Sequence, residues 1–163
     1  MQTTATEPGL VVKMTITAWD AQNNQFNKLI NELTDEQWQK EIAPGKNRGI
    51  YLFGHLIAVS DAMLPILDFG KNLFPELYPV FVKNPDKANQ VFPTIAELKE
   101  NLHAINATLK EHIQATTTAQ WFGRHMSVSP EDFVNEPHRN KLNIIISRTS
   151  HMAYHLGQLQ LLK

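Results

Sequence analysis

The chain has 163 residues, of which 42% are hydrophobic and 19% are charged, a composition that can bury one core and excludes a disordered chain. Lys and Arg together number 15 and Asp and Glu number 16, so the net charge of −1 leaves no basic excess for binding nucleic acid. The sequence has no cysteine, which excludes disulfides and thiolate ligands and leaves His, Asp and Glu to bind any metal.

Signals for membranes and export are absent from the sequence pattern. The longest stretch without a charged residue, residues 149–162, is shorter than the roughly 20 apolar residues that a transmembrane helix needs. The N-terminus has neither the basic region nor the apolar region of a signal peptide. We therefore expect no membrane span and a cytoplasmic location.

The first helix is predicted from Leu10 onward, after a flexible polar tail over residues 1–9. Inward positions recur at alternating spacings of 4 and 3, the pattern of an amphipathic helix. A Thr-x-x-Gln capping box then predicts a short helical turn over residues 34–37. The inward positions of the first helix are Val12, Ile16, Trp19, Asn23, Phe26, Ile30 and Leu33.

The second helix is predicted over residues 48–69, with Asn47 as its cap and Pro65 kinking or ending its last turn. Two neighbouring apolar stripes indicate that this helix is deeply buried. His55 interrupts one of these otherwise apolar stripes. Residues 70–93, which are rich in proline and aromatic residues, are predicted to form a long crossover loop.

The third helix is predicted to start after Thr94, which forms a capping box with Glu97. Residues 119–139 form a second connection, with a short turn over 129–132, and the fourth helix runs from Asn140 to the end of the chain. The apolar residues predicted to face inward are Leu98, Leu102, Ile105, Leu109 and Ile113 on the third helix and Leu142, Ile145, Ile146, Met152, Leu156 and Leu159 on the fourth.

No stretch has a strand pattern, so the four amphipathic helices predict an all-α protein with a four-helix bundle architecture. We expect a single domain over residues 1–163. The connection over residues 70–93 is long enough to recross the bundle and leave the second and third helices parallel. This predicts an up-down-down-up order.

Three histidines are candidate metal ligands. His151 and His155 are spaced i, i+4 on the fourth helix, which places both imidazoles on one face, close enough to bind one ion. Both lean toward the bundle interior, as does His55. A divalent cation would bind to all three imidazoles and so satisfy their buried nitrogens. The alternative to a metal site is three core histidines, each hydrogen-bonded to a neighbouring side chain. Residues 140–163 contain no Asp or Glu, so a metal site here would be all-nitrogen.

The run His151-Met-Ala-Tyr154-His155-Leu-Gly157-Gln158 resembles the H-x-x-Y-H-x-G-Q signature of the DinB-like (YfiT-like) superfamily. Gly54-His55-Leu56 is similar to the second-helix histidine motif of that superfamily. The resemblance implies an up-down-down-up four-helix bundle, usually dimeric, with a divalent metal that is often zinc or nickel. It assigns the ligands to one histidine of the second helix, His55, and two of the fourth, His151 and His155. The aromatic-rich segment over residues 70–93 departs from the family pattern.

Three neutral histidines leave a coordination position open, as in catalytic zinc sites. Met152 stands where H-E-x-x-H peptidases carry a glutamate base, which argues against a peptidase. Without a base, the simplest substrate is a thiol that ionises on the metal, and the resembled superfamily includes transferases and isomerases that use a low-molecular-weight thiol. A thiol-dependent S-transferase is therefore the expected activity. The alternatives are a metal-dependent hydrolase and a non-catalytic dimeric metal-binding or stress-response bundle.

Five further residues are candidates for contacts with the ligands or the substrate. Arg148, one turn before the histidine pair, has the charge to bind an anionic substrate group, or alternatively forms an ordinary ion pair at the rim. Tyr51 and Tyr154 are either hydrogen-bond donors near the ligands or aromatic packing residues. Asn23 and Gln158 lie on inward stripes and either hydrogen-bond a ligating imidazole or join a buried amide network.

A homodimer is expected from the resemblance and from the large number of aromatic side chains in the sequence. Trp19, Trp38, Trp121 and the aromatic residues of the 70–93 segment compete for burial in only four helices. The expected partners are therefore a second copy of the chain and a small molecule, with no nucleic acid.

Overall fold

The computed structural model describes residues 7–163, which fold into helices and loops and contain no β-sheet. A π-helical turn, Pro79–Lys83, and a 3-10 turn, Gln160–Leu162, accompany the α-helices. The predicted all-α class is confirmed, and α1, α3, α5 and α8 are the four long helices expected of the bundle. In chain order the α-helices are α1 (Glu7–Glu32), α2 (Asp35–Trp38), α3 (Gly49–Asp61), α4 (Met63–Ile66), α5 (Ile95–Ala115), α6 (Thr118–Trp121), α7 (Pro130–Asn135) and α8 (Lys141–Leu159).

The core is built around α3. This helix packs against α5 and α8, and α1 packs against α8. Every residue of α3 is buried except His55, which is partly exposed, because the two apolar stripes of the helix face neighbours on both sides. The contacts agree with a four-helix bundle, and the up-down-down-up order of the helices stays a prediction.

Local capping patterns set the start of several helices. Both predicted capping boxes are present, Thr34 with Gln37 at α2 and Thr94 with Glu97 at α5. Asn140, where the fourth helix is predicted to begin, is the cap of α8. The connection over residues 119–139 differs from the prediction because it contains α7 in place of a single turn, and α6 overlaps its start. A third capping box, Thr117 with Gln120, caps α6.

The first two long helices begin at positions different from those predicted. α1 begins at Glu7, so residues 7–9 of the predicted tail are helical, since proline is tolerated in a first turn where its missing N–H would have no helical partner. Residues 1–6 of that tail lie outside the described residues. Asn47 does not cap α3; the capping residue is Arg48, whose backbone N–H donates to Oδ2 of Asp86 at 2.8 Å. Asp86 of the crossover loop thus binds the residue that precedes α3, and no side chain caps the first turn of this helix within the described residues.

Two further predictions on helix extent and burial are wrong for local reasons. The helix predicted over residues 48–69 ends at Asp61, and α4 follows as a separate turn that ends at Ile66. The predicted interruption by Pro65 is present, because Pro65 has no N–H for the Asp61 carbonyl and its ring crowds that group. Ile146 is exposed although it was predicted to face inward. It is about 100° around α8 from the buried Ile145, which puts it at the margin of the buried stripe.

The most apolar stretch of the chain belongs to the core. Gly49–Ile66 is long and apolar enough to cross a membrane, with a mean hydropathy of 1.5, but 72% of it is buried inside the protein. Burial of this kind is typical of a core helix in a water-soluble bundle. The cytoplasmic location stays a prediction.

Candidate metal centre

Three imidazoles meet between α3 and α8. Nε2 of His151 lies 3.2 Å from Nε2 of His55 and 3.1 Å from Nε2 of His155. The three ligand atoms all lie within 4.8 Å of one another, and each side chain is partly buried. The convergence predicted from the i, i+4 pair and the apolar stripe of the second helix is therefore present in the structure.

Hydrogen bonds at Nδ1 determine which nitrogens of two rings face the centre. Nδ1 of His55 donates to the carbonyl oxygen of Phe81 at 2.9 Å, and Nδ1 of His155 donates to Oε1 of Gln158 at 2.7 Å. A carbonyl oxygen can only accept, so Nδ1 carries the hydrogen in both rings and Nε2 of each neutral ring presents a lone pair. Histidines that bind metal are commonly held by such a hydrogen bond at their other nitrogen.

The electrostatics of the centre favour neutral imidazoles. Burial, together with the neighbouring His155, His55 and Arg148, lowers the pKa of His151 to about 4. Burial also lowers the pKa of His55 and of His155, although the bonds to the Phe81 carbonyl and to Gln158 oppose this effect. All three rings are therefore neutral at pH 7, the protonation state in which imidazole binds a metal.

The donor set fits a divalent cation. Two Nε2 lone pairs point toward a third imidazole nitrogen at 3.1 and 3.2 Å, and one proton on His151 cannot satisfy both contacts well. Imidazole nitrogens suit zinc, nickel, copper and iron. Within residues 7–163, His55, His151 and His155 are the one group of three or more His, Asp or Glu side chains close enough to share an ion.

Arg148 lies beside the centre without a counter-charge. Its Nε atom is buried and has no hydrogen-bond partner, and no carboxylate within residues 7–163 forms an ion pair with it. Burial lowers the pKa of its guanidinium, and the nearby phenol of Tyr78 opposes that effect. The rim ion pair considered from the sequence is therefore not formed.

The other residues predicted to contact the ligands or the substrate differ in how they meet the histidines. Gln158 contacts a candidate ligand directly through His155. The Tyr154 hydroxyl accepts from Nε2 of Gln158 at 3.4 Å, and its ring meets the edge of the His155 ring. The Tyr51 ring lies nearly parallel to that of His55, while its hydroxyl donates to the carbonyl of Asn84 at 2.8 Å.

Asn23 has no hydrogen bond with any of the three imidazoles. Its Nδ2 donates to the carbonyl of Trp19 at 3.0 Å, and its Oδ1 is buried without a partner. It lines a cavity of about 290 Å³ together with Asn106 and Lys110 of α5. The buried-amide alternative describes this residue better than a contact with the histidines.

Two residues of the crossover loop join the site unexpectedly. Phe81 contributes its backbone carbonyl, and Tyr78 lies within electrostatic range of Arg148. Every residue has a backbone carbonyl, so the pattern of side chains in the sequence does not indicate that the Phe81 carbonyl binds His55. Tyr78 is one of several aromatic residues in a segment without helical periodicity.

A larger surface cavity lies elsewhere on the molecule. Its volume is about 540 Å³, its lining includes Glu36, Arg48 and Phe92, and none of the three histidines borders it. Its lining offers no set of three metal ligands. The histidine cluster is the better-supported functional site.

An all-helical bundle with three converging histidines on its second and fourth long helices defines the class of this protein. The sequence profile of the DinB superfamily matches residues 18–159, and the chain belongs to that superfamily. A crystal structure of a conserved protein from Enterococcus faecalis is similar, with a TM-score of 0.62 and 16% identity over 92% of this chain and 93% of that one. At this identity the likeness establishes the fold alone. None of the curated proteins compared with the chain matches it.

Proposed function

We propose that this protein is a metal-dependent enzyme that holds one divalent ion with His55, His151 and His155 and transfers a group to a small thiol. The observation that carries the proposal is the approach of three ligand nitrogens to within 4.8 Å of one another, with two of the rings oriented through Nδ1. Zinc or nickel is the proposed ion, because imidazole suits both and the superfamily resemblance points the same way.

The residues around the cluster orient the imidazoles. When bound, a divalent ion would supply a Lewis acid that lowers the pKa of a thiol or water at its open position. The Phe81 carbonyl and the Gln158 side chain restrict rotation of His55 and His155, so their Nε2 atoms stay directed at one point. Less ordering is then needed when the ion binds.

The lack of a general base favours a thiol over water as the nucleophile. α8 contains no Asp or Glu. Asp61, the acidic residue nearest to His55 in sequence, is 1% exposed, and both of its oxygens accept backbone N–H groups of the crossover loop. A thiol ionises more readily than water, so it depends less on a base. A hydrolase is the second candidate and would need the same ion.

Metal analysis of the untagged protein tests the metal site. We expect one equivalent of divalent metal per chain, and loss of it in His151→Ala and in His155→Ala. His103→Ala is the matched control, because His103 is an exposed histidine on α5 and its loss should leave the metal content unchanged. Metal-free protein after incubation with zinc and with nickel would contradict the proposal.

A turnover assay distinguishes the enzyme classes. We would incubate the metal-loaded protein with 3-mercaptopropionate and an aryl halide, where a carbon–sulfur bond forms, the carbon–halogen bond breaks, and halide and a proton are released. Metal-dependent thiol consumption supports the transferase. Hydrolysis of activated esters without thiol consumption would favour the hydrolase, and full metal content with neither activity would favour the non-catalytic alternative.

A further inference from the structure

Arg148 is a partly buried cation that has no hydrogen-bond or ion-pair partner within residues 7–163. It lies three residues before His151 on α8, a spacing that puts both side chains on one face of the helix. Its Nε is buried and makes no hydrogen bond. Nη1 and Nη2 also have no hydrogen bond within residues 7–163, but they are not among the fully buried atoms, so they remain in contact with solvent. The guanidinium therefore presents unused donors at an accessible position.

The surroundings of Arg148 offer no negative charge to balance it. Removing an unpaired charge from water is costly, and proteins normally pair such a group. Glu136, the acidic residue nearest to Arg148 in sequence, pairs with Arg139. Asp61 accepts two backbone N–H groups, and Asp86 pairs with Arg48. A divalent ion on the three histidines would add further positive charge beside Arg148. An anionic ligand would supply the missing counter-charge.

The guanidinium lies close to the histidine cluster. Its charge lowers the pKa of His55 and of His151, which places Arg148 within electrostatic range of both. Tyr78 also lies within electrostatic range of Arg148, and this residue is 38% exposed. The Tyr78 hydroxyl forms no hydrogen bond with the described part of the chain, and the residue directly precedes the Pro79–Lys83 turn that supplies the Phe81 carbonyl to His55. A cation and a free hydroxyl donor therefore flank the same site.

We propose that Arg148, assisted by Tyr78, binds a carboxylate of the substrate, so that the protein selects small thiols that carry an anionic group. The planar guanidinium matches a carboxylate through paired N–H donors, and the hydroxyl adds a third donor. This inference rests on the proposed function, because it assigns the substrate class of the same histidine site.

A matched pair of thiols tests the selection without any turnover. 3-Mercaptopropionate and 3-mercapto-1-propanol have the same chain length and differ in the terminal carboxylate. Titration of each into the cobalt-loaded protein, followed by the visible absorption of the cobalt, yields two dissociation constants. We expect the wild type to bind 3-mercaptopropionate roughly 10- to 100-fold more tightly, the range for a charge-assisted hydrogen-bonded pair.

Variants separate Arg148 from the general attraction of an anion to the metal. Arg148→Met should abolish most of the preference while leaving the constant for 3-mercapto-1-propanol within about threefold. Arg148→Lys should retain part of the preference, since it keeps the charge without the planar donor pair, and it also serves if the Met variant folds poorly. Tyr78→Phe should weaken 3-mercaptopropionate binding by several-fold. Lys110→Met, which removes an exposed cation of α5, is the control and should behave as the wild type.

The outcomes distinguish this inference from the proposed function. Cobalt stoichiometry is measured before any thiol is added, and a protein that binds no cobalt, zinc or nickel overturns the proposed function together with this inference. Full cobalt content with the same thiol preference in wild type and Arg148→Met overturns the role of Arg148 alone. Full cobalt content with a preference that depends on Arg148 supports it.

Discussion

Gly54 and the ring of Phe81 are in contact because Gly54 has no side chain. A Cβ atom at position 54 would lie 2.3 Å from Cε1 and Cζ of Phe81. Both residues are buried, and the Phe81 carbonyl accepts the hydrogen bond from Nδ1 of His55. The packing of the crossover loop on α3 therefore determines how a candidate metal ligand is oriented.

Gly54→Ala should destabilise the protein and weaken metal binding. The added methyl group forces the buried Phe81 ring to move, and overpacking of this kind costs about 1–3 kcal/mol of unfolding free energy. Movement of the Phe81 backbone removes the acceptor for His55, so metal affinity should fall by roughly tenfold or more. Urea unfolding and zinc titration against a chelating dye measure the two effects.

Gly157→Ala is the matched control for that substitution. Gly157 also lies within a helix next to candidate ligands, but a Cβ atom there would have no neighbour within 4 Å. Alanine in a helix interior is favoured over glycine by about 0.5–1 kcal/mol, so this variant should be as stable as the wild type or more stable. Equal losses in the two variants would contradict the role given to the Gly54–Phe81 contact.

Gln158→Ala should weaken metal binding with little effect on stability. The substitution removes the acceptor that orients His155, and loss of such a partner typically lowers metal affinity by roughly 10- to 100-fold. Gln158→Glu keeps an acceptor at this position and should retain most of the affinity. Gln160→Ala removes an exposed amide two residues on and is the control. Unchanged zinc affinity in Gln158→Ala would show that the hydrogen bond does not orient the ligand.

Asp61→Asn should lower stability but leave turnover of the folded enzyme within a few-fold of wild type. The carboxylate accepts from Leu73 at 2.8 Å and from Phe74 at 3.1 Å, and an amide can accept with only one of its two groups. Leaving a buried N–H unpaired costs about 1–3 kcal/mol. Rates are compared at equal concentrations of folded protein. Full metal content with turnover abolished would show that Asp61 acts as a base.

The Arg48–Asp86 pair should make stability depend on acid pH. Burial raises the pKa of Asp86, but the hydrogen bonds and charge of Arg48 outweigh it and hold the pKa below the ordinary value of 3.8. A carboxyl group with a lowered folded pKa stabilises the fold above its unfolded pKa, and this contribution is lost as the pH falls through the folded value. Urea unfolding of the wild type should therefore show a loss below about pH 4 to which Asp86 contributes.

Asp86→Asn isolates the contribution of that carboxylate. The variant should be less stable than wild type at pH 7 by about 1.5–3 kcal/mol, the range for hydrogen bonds to a charged group, and the difference should shrink at pH 3. Asp20→Asn alters an exposed aspartate of α1, and its free energy of unfolding should equal that of the wild type at both pH values. A gap between wild type and Asp86→Asn that is independent of pH would contradict the assignment.

We propose a homodimer that uses the face formed by α1 and α8. Trp19, Trp38 and Trp121 are buried within the chain, so they leave no apolar surface for a partner. Exposed apolar side chains instead lie on these two packed helices, at Leu10, Val11, Met14, Ile146 and Tyr154. Of these residues, Met14 and Ile146 line one surface cavity of about 340 Å³, and exposed apolar side chains of this kind are typical of an interface.

Ile146→Glu should convert the dimer to a monomer, because a charge in the interface would be buried without a partner. The molar mass is measured by light scattering at tens of micromolar. Val134→Glu changes a more exposed valine of α7 and should leave the mass unchanged. A monomeric wild type would contradict the dimer, and a dimeric Ile146→Glu variant would place the interface elsewhere.

Much of the helical framework and the histidine pair were predictable because they depend on neighbours within one or two turns. Thr94 and Glu97 cap α5 across three residues, and His151 and His155 share a face because four residues make about one turn. Such local relationships are visible in the spacing of residue types. His55 could be added to the predicted metal ligands because it is the single polar residue in an otherwise apolar stripe.

The remaining features of the site depend on contacts between distant parts of the chain. The Phe81 carbonyl accepts from His55 across 26 residues, and the Asp86 carboxylate accepts the backbone N–H of Arg48, just before α3, across 38 residues. Neither contact has a periodic pattern, since both arise from how the crossover loop packs on α3. Arg148 lacks a partner for the same kind of reason: whether a carboxylate lies near a guanidinium depends on the packing of separate segments, and here that packing brings histidines and a tyrosine to it instead.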